Sequence, residues 1–387
     1  MSTEPLSSPP LNAGPLPKAA LYANHIEIWS SAVALTLEEK GYSNDEVDRR
    51  EVSLMSGENF NPAYLKINPS GEVPTLVVPL DRYIAADIET KYRPLHDVSK
   101  ILEFLDKSRT AFSKSHTTSH TPAPTLAPAT IDALAKSNVI IKLVHSEALD
   151  PEFLYLSART PEELAHKAKG EQHTYLKNRF ATLKAAFSPA STTATQEALP
   201  PALGVRAKAA LEIKENVYDG YLKVYDAAAA GGEPAPQTDT FLKLGRKAWE
   251  VDVKAALELL EKEIQISHIA GGEERGPGAN PSTVSNVGAT ATTTHSSGAN
   301  AAAPASNDSE TKRGAFILGE HVCLADLHLF PWLARVVSLS GGDLTPAGLD
   351  KVGSMLGEGA VVGERVKEFW AAMLQRESFS SAQSAPV

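Results

Sequence analysis

The stretch Asn68-Pro69-Ser70-Gly71-Glu72-Val73-Pro74-Thr75-Leu76-Val77-Val78 constrains the fold more than any other part of the chain. Asn-Pro-Ser-Gly is turn chemistry: proline presets φ, and glycine supplies the positive φ that other residues resist. Val73 to Val78 is a β-branched run suited to a buried strand. Pro74 falls at the mouth of that strand, one of the few sheet positions where a missing N–H is tolerated. The backbone N–H and C=O of Val73 are then free to pair with something extended that is not the next strand.

Around this turn the chain alternates strand and helix patterns. Ala19 to Ala23 reads as a first strand. Ile28 to Lys40 has helical spacing, with Trp29, Ala32, Val33, Thr36 and Leu37 on one side and Gly41 placed to stop it. Val47 to Leu54 fits a second strand ending near Ser53. Asn61 to Lys66 makes a short turn-helix that leads into the proline turn. From Leu80 to Pro94 the one visible pattern is a short strand near Tyr83-Ile84. His96-Asp97-Val98-Ser99 then opens a helix through Asp106, with Ile101, Leu102 and Leu105 inward. The order is β-α-β, then β-β-α.

Beyond this point the expected structure is helical. Ser108 to Thr130 is a linker by composition, rich in Ser, Thr and Pro. Ile131–Glu147, Pro161–Phe187, Arg206–Ala230 and Phe241–His268 carry apolar residues three and four apart. The stripes Leu176, Phe180, Leu183, Phe187 and Leu257, Leu260, Ile264 read as core. Ala270 to Arg313 has no Leu, Ile or aromatic residue, so burial cannot offset its ordering entropy, and it reads as a disordered insertion. Ser188 to Pro201 reads as a smaller one, and Met1 to Pro17 as a disordered tail. Order returns at Phe316 to Leu333, where Asp326 follows Cys323 at the spacing of a capping box and Val322 and Leu327 can staple it. Leu356, Val362, Val366, Phe369 and Trp370 support closing helices, with order ending near Ser378. The expected organisation is a tail (1–18), an α/β domain (19–107), a linker (108–130) and a helical domain (131–378) interrupted at 270–313.

Composition narrows the function. Hydrophobic residues make up 42% of the 387, enough for a substantial core. The net charge of −10 leaves no basic field for nucleic acid or anionic membrane surfaces. One cysteine, Cys323, excludes an internal disulfide and a multi-cysteine metal site, and the histidines show no ligand spacing, so no metal is expected. No apolar run is long enough to span a bilayer and no signal peptide is visible, so a cytoplasmic protein is expected.

The proline turn resembles the cis-proline loop of the thioredoxin fold as cytosolic-type glutathione transferases carry it. The Cys323–Asp326 segment resembles the capping box of that family's helical domain, and the wording Tyr-Leu-Lys-Ile-Asn-Pro-Ser-Gly with long polar insertions points to a fungal source. The resemblance implies a thioredoxin-like domain that binds glutathione as co-substrate, followed by an all-α domain that receives a small hydrophobic electrophile. It also implies a cis Val73–Pro74 peptide, detoxification chemistry and a possible homodimer. Val73 and Pro74 would hold the cysteinyl backbone. Asp97, Val98 and Ser99, opening the next helix, match the family's site for the γ-glutamyl end, although Val98 stands where the family has serine. Candidates for thiol activation are Tyr22, Asn24 and Ser30. The region of Glu27 to Trp29, where serine- or cysteine-type members keep their activating residue, holds neither. Two readings follow: a glutathione transferase adding thiolate to an electrophile or acting on glutathione conjugates, or a non-catalytic binding or scaffold protein on the same fold.

Overall fold

The computed structural model describes residues 18–79, 92–110, 123–187, 203–273 and 314–384, with the backbone alone for 187, 265–273 and 383–384. The expectations for 1–17, for a strand near Tyr83-Ile84, for 188–201 and for most of 270–313 lie outside the described residues.

The N-terminal part is a four-stranded sheet in the order β2-β1-β3-β4: β1 (Ala19–Ala23), β2 (Val47–Glu51), β3 (Thr75–Pro79) and β4 (Tyr92–Leu95). β1 and β2 are parallel, with Tyr22 opposite Arg50. β3 runs antiparallel to β1, with Tyr22 opposite Thr75, and β4 antiparallel to β3, with Leu95 opposite Leu76. α1 (Ile28–Lys40) connects β1 to β2, α2 (Pro62–Leu65) precedes the proline turn, and α3 (Val98–Ser108) follows β4. This is the thioredoxin-like arrangement. Gly41 closes α1 in the left-handed region, φ 66°, a conformation that only a residue without Cβ adopts readily.

β2 is shorter than expected: Val52 N–H still bonds the Ala23 carbonyl, but beyond it the chain turns away and Val52 and Leu54 join the cluster of Phe60 and Tyr64. β4 was invisible to pattern reading for a physical reason. As an edge strand it exposes Tyr92, Arg93 and Pro94 and buries only Leu95, so it carries neither alternation nor an apolar run.

The register places three features at one end of the sheet. β1 and β4 finish where β3 begins, so the start of α1, the Val73–Pro74 turn and the start of α3 converge there. The Val73–Pro74 peptide is cis, as expected.

The remainder is helical: α4 (Ile131–Val144), α5 (Pro151–Leu156), α6 (Pro161–Lys167), α7 (Glu171–Phe187), α8 (Val205–Ala230), α9 (Thr238–Lys247), α10 (Lys254–Glu273), α11 (Leu324–Leu339), α12 (Glu364–Leu374) and α13 (Glu377–Ser384). The helical pattern over Pro161–Phe187 is carried by two helices, broken at Ala168 to Gly170, where the His173 ring bonds the Ala168 carbonyl. α9 and α10 are joined by a π-helical turn, Ala248–Val253. α10 continues to Glu273, past the expected start of the insertion at Ala270. Helical structure also runs past Ser378, because Phe379 packs edge-on against Phe330 and the Ser378 hydroxyl bonds Glu39 of α1.

Two cores hold these parts together. One face of the sheet, with α1 and α3, packs on α11 and on Trp332 and Trp370. The proline turn and the segment after β2, including Val73 and Phe60, pack instead on α7 and α8 through Leu176, Leu183 and Tyr218. The end of the linker is pinned as well. The buried Lys40 ammonium reaches Asp106 at 2.7 Å and the Pro124 carbonyl, while Asp106 accepts from the N–H groups of Leu126 and Ala127. At the start of α11, Asp326 accepts from Cys323 N–H at 2.7 Å and from Ile317 N–H at 2.9 Å, which forms the expected carboxylate half of the capping box.

Candidate functional site: a cleft at the proline turn

The sheet end described above faces α5, α7 and α8 across a cavity of about 510 Å³. From the sheet side it is lined by Ile26 to Trp29 at the start of α1, by Leu54 and Met55 after β2, and by Gly71 to Val73. Asp150 to Glu152 and Tyr155 of the α5 region, Tyr175 and Arg179 of α7, Lys214 of α8 and Arg335 of α11 close the other side. Among the described residues neither the N–H nor the C=O of Val73 has a hydrogen-bond partner. That pair of groups is the obligatory bonding capacity of an extended segment left unused.

The proline turn is held rigidly. Asn59 Nδ2 donates to the Gly71 carbonyl, and the Tyr64 hydroxyl and Asn68 Nδ2 both donate to the Glu72 carbonyl. Gly71 sits at φ 65°, and a Cβ there would meet the Phe60 ring at 2.8 Å, so glycine is required twice over. Asn59 is itself fixed by Arg179, whose Nη1 donates to its Oδ1 at 3.0 Å.

Arg179 anchors the helical side. Its guanidinium is 3% exposed, lies within 6 Å of the rings of Phe60, Tyr175 and Tyr218, donates to the Tyr218 hydroxyl and pairs with Glu152 at 3.3 Å. Burial pushes the Glu152 carboxyl up, but Arg179 and Lys214, with the hydroxyls of Tyr218 and Tyr175, outweigh it and hold the group at about 2.

The residues expected from the sequence divide unevenly. Val73 lines the cleft. The Tyr22 hydroxyl accepts from Arg50 Nη1 at 2.7 Å at the surface and lies outside the cleft lining. Asn24 is buried and spends both side-chain hydrogens on Glu51 and on the Val52 carbonyl, which leaves none for a thiolate. Ser30 is buried, its Oγ accepting from Asn24 N–H, and it lines a separate apolar cavity between α1 and α11. Asp97 caps α3, accepting from Lys100 N–H at 2.9 Å. Asp97, Val98 and Ser99 begin α3 at the same sheet end as Val73 but are not among the cleft-lining residues.

What the sequence reading missed is Glu27. It is the N-cap of α1, half-buried in the cleft wall, and its Oε2 accepts from Ser30 N–H at 2.7 Å. Burial lifts its carboxyl to about 7 against the opposing pull of the Trp29 and Ser30 N–H groups and Arg335. Trp29, beside it, stacks on His145 at 3.8 Å, and His145 Nε2 lies 2.8 Å from His328 Nδ1. Glutamate ranks low as an N-cap, so no capping rule singled out Glu27. Arg179 lies within the apolar stripe of α7, where a charge at core spacing was the available signal.

Among the described residues no group of three or more His, Cys, Asp or Glu side chains could hold a metal ion, and no helix is long and apolar enough to cross a membrane.

Residues 28–108 match the family model described as glutathione S-transferase, N-terminal domain. A search of curated proteins finds no match. Among solved structures, the chain is similar to a β-etherase from Sphingobium sp. strain SYK-6, at 13% identity over 95% of this chain and 99% of that one, with a TM-score of 0.47. A glutathione transferase from Burkholderia graminis, carrying two glutathione molecules per subunit, matches at 13% identity over 95% and 88%, with a TM-score of 0.43. A maleylacetoacetate isomerase from a Methylobacterium, with bound malonate and glutathione, matches at 14% over 95% and 100%, with a TM-score of 0.42. The chain thus carries a glutathione S-transferase-like N-terminal domain built on a thioredoxin-like sheet and joined to a helical remainder.

Proposed function

We propose that the cleft binds glutathione and that the chain is a glutathione transferase-type enzyme, adding the bound thiolate to a small hydrophobic electrophile. The observation that carries this reading is Val73. Its unpaired N–H and C=O line the cleft at the sheet end where two helices begin. An extended cysteinyl backbone can take both bonds, as an added strand would. The start of α3 supplies unpaired N–H groups and a partial positive charge for the γ-glutamyl carboxylate. The second oxygen of Asp97 is open to the α-amino group. Ile26, Leu54 and Met55 give the same cavity an apolar wall suited to an electrophile.

A second reading has its own support. Tyr22, Asn24 and Ser30 are all committed elsewhere, and the cleft lining carries five carboxylates against three cations, a poor field for an anionic tripeptide. On that basis the chain is a binding or scaffold protein without chemistry.

Calorimetric titration with glutathione tests the reading. Without the serine hydroxyl at Val98 the affinity is weakened by about 1.5–3 kcal/mol, roughly ten- to a hundredfold. Wild type is therefore expected to bind weakly and Val98→Ser to bind more tightly. Asp97→Ala is expected to abolish binding. Heat absent from both wild type and Val98→Ser overturns the assignment. Binding without turnover of any electrophile favours the scaffold reading.

A further inference from the structure

We propose that Glu27 is the catalytic residue that takes the thiol proton and then hydrogen-bonds the thiolate. The inference rests on the glutathione-binding reading above and adds the residue that performs the chemistry.

Position selects the residue. A proton acceptor for a thiol held at Val73 must line the same cavity on Val73's side of it, without being committed to a charged partner. Across the cleft Glu152 is locked by Arg179, Tyr175 and Tyr218, and Glu171 accepts from the Tyr155 hydroxyl. Asp150 caps α5 through Glu152 N–H, and Glu72 is exposed and faces Lys214 at 3.6 Å. Arg179, Lys214 and Arg335 are cations and accept nothing. Asn59 is spent on Gly71 and Arg179. Glu27 remains. It is the N-cap of α1, on the sheet side with Val73, and its Oε2 accepts from Ser30 N–H at 2.7 Å.

The helix terminus suits the task in both protonation states. As a carboxylate, Glu27 is stabilised by the α1 dipole and the Ser30 N–H. As an acid, it donates to a thiolate placed before the same terminus, which favours the negative sulfur. A carboxyl lifted by burial to about 7 is matched to proton exchange near neutrality. Its charged neighbour is Arg335 of α11, which draws it down; Glu72, Asp150, Glu152, Tyr155, Glu171, Tyr175, Arg179 and Lys214 face the cavity from the other elements.

With an isothiocyanate as electrophile the step closes without a co-reactant. The S–H bond breaks and its proton passes to the Glu27 carboxylate. The sulfur lone pair forms the S–C bond at the central carbon. The C=N π pair moves to nitrogen, which takes the proton back from Glu27 and regenerates the carboxylate.

The test is the pH profile of kcat/KM for the full chain with glutathione and phenethyl isothiocyanate, alongside calorimetric affinity for glutathione. Wild type is expected to gain activity with pH through an inflection near 7. Glu27→Gln keeps an acceptor for Ser30 N–H, so it is expected to fold and to bind glutathione within threefold of wild type. Its kcat is expected to fall at least tenfold and its inflection to move toward the free thiol's ionisation. Arg335→Gln removes the opposing cation and is expected to shift the wild-type inflection upward. A Glu27→Gln enzyme with unchanged kcat and unchanged inflection overturns the inference while leaving the binding reading intact. Absence of glutathione binding in wild type overturns both.

Discussion

Replacing Arg179 with methionine should cost more stability than any other single change near the cleft. Methionine keeps much of the stem that packs among Phe60, Tyr175 and Tyr218, so the loss is chiefly of the charge and its hydrogen bonds. The guanidinium donates to Asn59 and Tyr218 and pairs with Glu152, all in a site where Arg179 is 3% exposed. Removing one partner of a buried pair leaves the other uncompensated, at a cost of about 3–5 kcal/mol. Lys214 and the two tyrosine hydroxyls still face Glu152 and temper that cost, so about 3 kcal/mol is expected. Urea unfolding of wild type, Arg179→Met, Glu152→Gln and the double variant measures it. The double variant should cost clearly less than the two single changes summed, with a coupling of about 2 kcal/mol. The pH dependence has a definite sign. Glu152 is depressed to about 2 from 4.5, so the stability it contributes is present above 4.5 and is lost as pH falls toward 2. That acid limb should shrink in Arg179→Met. A cost below about 1 kcal/mol with no coupling would refute the network as the clamp on the proline turn.

Other consequences are as specific. Asp326→Ala strands the buried N–H groups of Cys323 and Ile317 and should cost about 3 kcal/mol in chemical unfolding; a cost under about 1 kcal/mol would mean the capping box is not holding α11. Burial lowers His328 to about 3 and His145 to about 4, below their ordinary 6.5, so the unfolded chain binds the extra protons. Stability should therefore decline as pH falls from about 6.5 toward 4, and His328→Phe should flatten that decline in thermal melts recorded across the range. A profile unchanged by the substitution would argue against the His145–His328 contact.

The sequence was most legible where backbone chemistry dictates the outcome. The turn at Asn68 to Gly71, the proline before β3, the stop at Gly41 and the Asp326 cap each rest on a residue type with one structural use, and each is present. β4 escaped because an edge strand buries a single side chain, and the break at Gly170 because the apolar periodicity of α6 and α7 runs through it. The site was legible only at its backbone. Val73 could be read from the turn, but the fates of Tyr22 and Asn24 depend on Arg50, Glu51 and Val52, contributed by the neighbouring strand and the residue after it, and that of Ser30 on the Asn24 N–H it accepts from. Glu27 owes its properties to burial under helices more than a hundred residues away in sequence, which no local pattern carries.

The most direct test is a crystal structure of the chain with glutathione. The account predicts the cysteinyl backbone paired with the N–H and C=O of Val73 at roughly 2.9 Å, with the sulfur at the start of α1 beside the Glu27 carboxyl. Glutathione bound away from Val73, or a cleft empty at saturating ligand, would contradict it.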